Sequence, residues 1–194
     1  MRYKHVQFRY QVSGIRYQVL GVGCWAILKS SPLGGRVRES IFTGLSFGLT
    51  SAVITTLGLM VGLYSGTGSR PAVIGGILTI ALADAFSDAL GIHISEESES
   101  RHGNREVWVS TFSTFFSKLI FGSSFLVPVL FLELFTALVV SIVWGLSILS
   151  FLSYKMAVRR KSDPWKAIAE HLFIACMVII MTHLIGKWIS RFIT

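Results

Sequence analysis

Residues 40–64 read SIFTGLSFGLTSAVITTLGLMVGLY, a run of 25 residues without a charged side chain. An α-helix rises about 1.5 Å per residue, so about 20 apolar residues are enough to cross the hydrocarbon core of a bilayer. The run therefore predicts a membrane-spanning helix. The turn-rich sequence SGTGSRP follows at 65–71, and its proline favours the start of a second helix there.

The composition of the whole chain agrees with this prediction. Of its 194 residues, 52% are hydrophobic and 14% are charged, and the mean hydropathy is +0.64. Soluble domains carry about 25% charged residues. The composition excludes an ordinary soluble domain and a disordered chain.

Apolar runs predict four further spans. The second span, 71–95, is interrupted only by Asp84 and Asp88. From residue 119 to residue 154 only Glu133 is charged, but a helix of that length would measure about 54 Å, which is too long for one crossing. We therefore expect a turn near 132–135. The predicted spans are 40–64, 71–95, 115–132, 135–154 and 165–189.

The chain has a net charge of +8, and the predicted spans divide its basic residues unequally between the two sides of the membrane. Fifteen basic residues fall on the side of the N-terminus when Lys118 is counted with the loop after the second span, and three fall on the other side: Arg70, Lys187 and Arg191. Basic loops are typical of the cytoplasmic side. The chain is predicted to be an all-α integral membrane protein with five transmembrane helices, its N-terminus in the cytoplasm and its C-terminus on the opposite side.

Residues 1–38 are basic and contain no apolar run long enough to cross a bilayer. We interpret them as a segment on the cytoplasmic membrane surface, attached to a five-helix domain at 39–194. Anionic lipid explains the basic residues better than nucleic acid does, so no nucleic-acid partner is predicted. The expected location is multi-pass in a membrane, which is the plasma membrane if the source is prokaryotic.

The sequence ADAFSDALG at 83–91 holds the sharpest functional signal. Asp84 and Asp88 are four residues apart and share one helix face, with about 6 Å between them. Ionisable residues inside a membrane are expensive and are a functional hypothesis by default. Two carboxylates so close together repel each other unless a proton or a cation lies between them. The alternative is that one of the two, Asp84 before Asp88, only hydrogen-bonds Ser or Thr hydroxyl groups of the neighbouring span.

The second span continues into HISEESESRH at 93–102. Carboxylate and imidazole ligands suit Mn²⁺, Fe²⁺ or Zn²⁺. The predicted metal ligands are Asp88, Asp84, Glu96, Glu99 and His102. A solvated charged helix end is the alternative for the last three.

Other polar residues in the spans are weaker candidates. Thr43, Ser46 and Thr50 form a hydroxyl stripe on the first span that lines a path or bonds back to its own helix. Glu170 and His183 of the last span are candidates for a proton relay. No enzyme motif such as a nucleophile elbow, phosphate loop, HExxH or paired CxxC is present, so an enzyme is not predicted.

Small residues spaced by four occur in the first two spans: Gly44 with Gly48, Gly58 with Gly62, and Ala81 with Ala85 and Ala89. This spacing lets helix backbones approach closely in lipid. Packing within one chain and a seam between two chains both explain it.

The sequences RESIFTGLSFGLTSAVITTLGLMVGL (38–63) and GGILTIALADAFSDALGIHISEESE (75–99) resemble the first two spans of the vacuolar iron transporter family. The resemblance implies a five-helix homodimer that moves Fe²⁺, Mn²⁺ or related cations out of the cytosol in exchange for protons. It implies no permanently bound cofactor, since the metal ion is the substrate.

The chain departs from this family in three ways. Phe47 stands where the family usually has an aspartate, and Asp88 stands where it has a methionine. The Glu-rich cytoplasmic domain between the second and third spans is reduced to a short stretch. Either the carboxylate has moved from one helix to its neighbour, or the branch has changed its substrate or lost transport. The leading hypothesis is a small divalent-cation transporter with Asp88 as its membrane-embedded ligand and proton-exchange group. The alternative is a non-transporting membrane protein or assembly partner whose aspartates hold helices together.

Overall fold

The computed structural model describes residues 33–98 and 103–192, and within these ranges all regular structure is helical. The helices are α1 (Leu33–Thr67), α2 (Arg70–Ser98), α3 (Asn104–Ser124), α4 (Leu126–Phe131), α5 (Leu134–Arg160) and α6 (Pro164–Phe192). Five of the described segments are long and apolar enough to cross a membrane, with α3 and α4 counting as one. The prediction of five helices long and apolar enough to span a membrane is confirmed. The predicted surface segment lies mostly outside the described residues.

The short connections follow from local turn chemistry. Gly68 adopts φ +59° after α1, a left-handed conformation that glycine tolerates at a helix end. Lys161 ends α5 in the same region, and the Ser162 N–H donates to the carbonyl of Ala157 at 3.0 Å. Asp163 then accepts the N–H of Trp165 at 3.0 Å and caps α6.

The third span differs from its predicted bounds of 115–132. Helix α3 begins at Asn104, so most of the expected 96–117 loop is helical. Its start is stabilised by Glu106, whose Oε2 accepts the Gly103 N–H at 2.5 Å. The break between α3 and α4 is at Phe125, three residues before Pro128. Proline has no N–H to continue the helical hydrogen bonds, and its ring clashes with the preceding turn. The predicted turn near 132–135 is present as the connection Leu132–Glu133.

Helix α1 is the central helix of the bundle. It packs against α2, α3, α5 and α6, and half of its most apolar window is buried, compared with 6% for α6. Large side chains of α1 fill the core with residues from the surrounding helices. The buried core includes Val53, Leu57, Met60, Ile77, Phe125, Val129 and Leu149.

The outer surface is strongly apolar. On α2 the large exposed residues repeat every fourth position, and the same holds on α3. Apolar side chains on an outer surface are what lipid tails require. The two stripes are Leu78, Leu82, Phe86, Leu90 and Ile94 on α2, and Trp108, Phe112, Phe116 and Ile120 on α3.

Candidate functional site

The two aspartates of α2 meet a lysine of α3. The ammonium group of Lys118 lies 2.6 Å from Oδ2 of Asp84, donates to Oδ2 of Asp88 and donates to Oγ of Ser51 on α1 at 2.7 Å. Three helices thus bring four polar side chains together. We call Ser51, Asp84, Asp88 and Lys118 the charge cluster.

The charge cluster lies at the middle of its helices. Asp84 is the fifteenth of the 29 residues of α2, and Lys118 is the fifteenth of the 28 residues from Asn104 to Phe131. Ser51 is one residue beyond the centre of α1. A helix of about 28 residues extends beyond the hydrocarbon core at both ends. If these helices cross a bilayer, the cluster is near its midplane.

The cluster carries two carboxylates and one ammonium group, so one negative charge is in excess when all three are ionised. The Lys118 side chain is 2% exposed, and those of Asp84 and Asp88 are about one-fifth exposed. A lone charge at this depth is costly, and pairing reduces that cost. The carboxylates therefore have a counter-ion supplied by the protein itself.

Small residues bring the three helices close enough for these contacts. A Cβ added at Gly44 would lie 2.8 Å from Cβ of Ser113, and one at Gly48 would lie 2.7 Å from the carbonyl oxygen of Thr114. At Gly122 of α3 the nearest atom is the Cβ of Ala81 on α2. These helices are thus almost in backbone contact.

The remaining predicted small pairs also pack within the chain. Gly58 and Gly62 face Val178 and Thr182 of α6, while Ala81, Ala85 and Ala89 are buried. Packing within one chain therefore accounts for the small residues that the sequence analysis singled out.

Lys118 was assigned to a loop on sequence grounds, and the structure corrects this. The lysine lies at the centre of a span, and its ammonium group is held by the two aspartates. The misleading feature was its position directly before the charge-free run at 119. The usable signal is that Lys118 is the one charged residue in the 26 residues from 107 to 132, since a lone lysine in an apolar run needs a buried partner.

The predicted hydroxyl stripe contributes little to the cluster. Thr43 is exposed, Ser46 is buried and Thr50 is half-buried, and among the described residues none of the three is hydrogen-bonded to the aspartates. Ser51, the next residue, makes the contact instead. Thr55 donates back to the carbonyl of Ser51 at 2.9 Å, which is the alternative expected for hydroxyls within a helix.

The predicted five-ligand metal site is not assembled within the described residues. Glu96 lies two helical turns beyond Asp88, about 12 Å along α2, and Glu99 and His102 lie outside the described ranges. In residues 33–98 and 103–192 no three His, Cys, Asp or Glu side chains are grouped to hold a metal ion. His93 instead pairs with the hydroxyl of Thr111 at 3.0 Å.

The two residues of the predicted proton relay are far apart. Glu170 is exposed near the start of α6, while His183 lies thirteen residues later, about 20 Å along the same helix. Nδ1 of His183 lies 2.6 Å from Oγ of Ser65, in an open depression that Glu133 and Lys187 also line. No continuous relay links these residues in the described part of the chain.

No protein-family model matches this sequence, and no curated protein matches it significantly. The resemblance to the vacuolar iron transporter family therefore depends on the quoted sequence segments themselves.

Proposed function

We propose that this chain transports divalent metal cations such as Fe²⁺ or Mn²⁺ across a membrane in exchange for protons, using the charge cluster as its exchange site. The observation that carries the proposal is the meeting of Asp84 and Asp88 of α2 with Lys118 of α3 at the middle of both helices. Carboxylates at this depth are typical of ion and proton pathways. Both aspartates are about one-fifth exposed, so they are not fully enclosed by the helices around them.

The orientation is part of the same proposal. With Lys118 removed from the loop count, fourteen basic residues remain on the side of the N-terminus and three on the other side. This bias favours a cytoplasmic N-terminus. Transport out of the cytosol would then carry the cation from the end where α1 begins to the end where it finishes.

A homodimer, implied by the family resemblance, also belongs to the proposal. Among the described residues, a second stripe of small residues on α2 provides a surface on which another helix could pack. Its members are all exposed and follow one another at intervals of four residues. At Gly75 and Gly91 an added Cβ would meet no atom within 4 Å, in contrast with the packed glycines of α1. The stripe consists of Gly75, Thr79, Ala83, Ser87 and Gly91.

A purely structural role is the competing function. It is favoured by the direct pairing of Lys118 with both aspartates and with Ser51, because such a cluster can join three helices without any substrate. In that case the protein would be a membrane scaffold or assembly partner.

Thermal unfolding with separate titrations of Mn²⁺, Fe²⁺, Zn²⁺, Ca²⁺ and Mg²⁺ separates the two functions. A ligand at 100 times its dissociation constant stabilises by about 2.7 kcal/mol. We expect at least one ion to stabilise the wild type and not Asp88→Asn. The matched control is Asp163→Asn, an exposed carboxylate whose amide replacement can still cap α6.

Transport itself is measured as metal flux into vesicles under a pH gradient. Asp88→Asn should abolish the flux, and Asp163→Asn should retain it. Unchanged flux in Asp88→Asn contradicts the proposed function. Destabilisation of Asp88→Asn without any effect of metal on the wild type supports the scaffold instead.

A further inference from the structure

The ammonium group of Lys118 holds the oxygen atoms that a substrate cation would need. Its three partners are Oδ2 of Asp84, Oδ2 of Asp88 and Oγ of Ser51. Divalent cations bind oxygen ligands at about 2.0–2.6 Å. A cation that bridged these oxygens would occupy the position of the ammonium group, so the two cannot be bound there at the same time.

We infer that Lys118 is an internal competitor of the substrate: the cation displaces its ammonium group on binding, and the return of that group drives release. This inference rests on the proposed function. Lys118 acts through the two aspartates and is a positioning residue.

A pair of buried carboxylates without a counter-ion attracts a divalent cation strongly, and the low dielectric of the surroundings increases that attraction. A transporter must bind its ion tightly enough to admit it and weakly enough to release it. The positive charge of Lys118 lowers the attraction without removing either ligand.

The ammonium group is attached to α3 by its own side chain, so it competes with the substrate at a high effective concentration that never depletes. A site that is open for only one-tenth of the time has its apparent dissociation constant raised about tenfold. Lys118 therefore determines both the affinity and the rate of release.

The experiment compares Mn²⁺ binding with Mn²⁺ flux in full-length protein. In Lys118→Met, whose side chain has a similar length and no charge, we expect the dissociation constant to fall by about tenfold or more and the maximal flux to fall as well. If the lysine were merely structural, its removal would not produce tighter Mn²⁺ binding together with slower transport. The control is Lys155→Met, which removes a positive charge from an exposed position on α5. In this variant the dissociation constant for Mn²⁺ and the maximal flux should both stay unchanged.

Two further variants keep the test informative if Lys118→Met does not fold. Lys118→Gln is also uncharged but keeps hydrogen-bond donors, so it should likewise bind Mn²⁺ more tightly. Lys118→Arg retains the charge and can pair with carboxylates through two hydrogen bonds, so it should bind Mn²⁺ no more tightly than the wild type.

The outcomes separate this inference from the proposed function. If the wild type binds Mn²⁺, Asp88→Asn does not, and the uncharged Lys118 variants bind no more tightly than the wild type, internal competition is wrong and transport stands. If neither the wild type nor the uncharged variants bind any divalent ion, the proposed function is wrong and the inference is overturned with it.

Discussion

The ammonium group of Lys118 lies 2.6 Å from the carboxylate of Asp84, although the two residues belong to different helices. Asp88 shares the same ammonium group. One lysine is thus shared by two carboxylates at mid-helix, and it offsets one of their two negative charges.

Removal of the lysine charge should destabilise the protein. Lys118→Met leaves two uncompensated carboxylates, and we expect the free energy of unfolding to fall by about 3–5 kcal/mol, as for other broken buried ion pairs. Adding Asp84→Asn and Asp88→Asn should restore most of the loss, because no charge then remains. Unfolding in detergent measures both variants. If the triple variant, with Lys118→Met, Asp84→Asn and Asp88→Asn, is as unstable as Lys118→Met alone, the lost stability comes from packing and not from charge.

The close approach of α1 and α3 predicts opposite effects at two glycines. Gly48→Ala should destabilise by about 1–3 kcal/mol, because its Cβ would collide with the Thr114 carbonyl. Gly75→Ala should stabilise by up to about 1 kcal/mol, since it improves helix propensity in open space. Thermal unfolding of the two variants under one set of conditions tests this, and equal effects would contradict the described packing.

The exposed small-residue stripe of α2 predicts where two copies meet. Gly91→Leu should convert a homodimer into a monomer, because a bulky side chain separates helices that rely on small residues for contact. Light scattering in detergent gives the mass, and cross-linking in vesicles gives the state in lipid. Ser147→Leu, at an exposed position on α5, is the control and should remain dimeric. A monomeric wild type would contradict the homodimer.

Glu106 is expected to act as a helix cap rather than as a metal ligand. It is buried and accepts the Gly103 N–H, so Glu106→Ala should lower the free energy of unfolding by about 1 kcal/mol. Glu106→Gln keeps an oxygen acceptor and should lose less. Equal losses, together with weaker metal binding in both variants, would favour a ligand role.

Much of the bundle was predictable because helix formation in lipid is a local matter. Backbone groups must be paired within each span, so run length and turn residues such as Gly68, Pro71 and Asp163 mark the helices. The start of α3 was missed because the stretch after residue 103 is polar, and its helix depends on the buried cap at Glu106.

The sequence by itself determined the five apolar helices, the shared face of Asp84 and Asp88, and the bias of basic residues toward one side. Only the tertiary structure decided that Lys118 and Ser51 complete the cluster, and that Gly44 and Gly48 pack inside the chain while Gly75 and Gly91 remain open. The physical reason is that helical periodicity places side chains around one axis. Which faces meet depends on the rotation of neighbouring helices, and that is decided by packing among all of them.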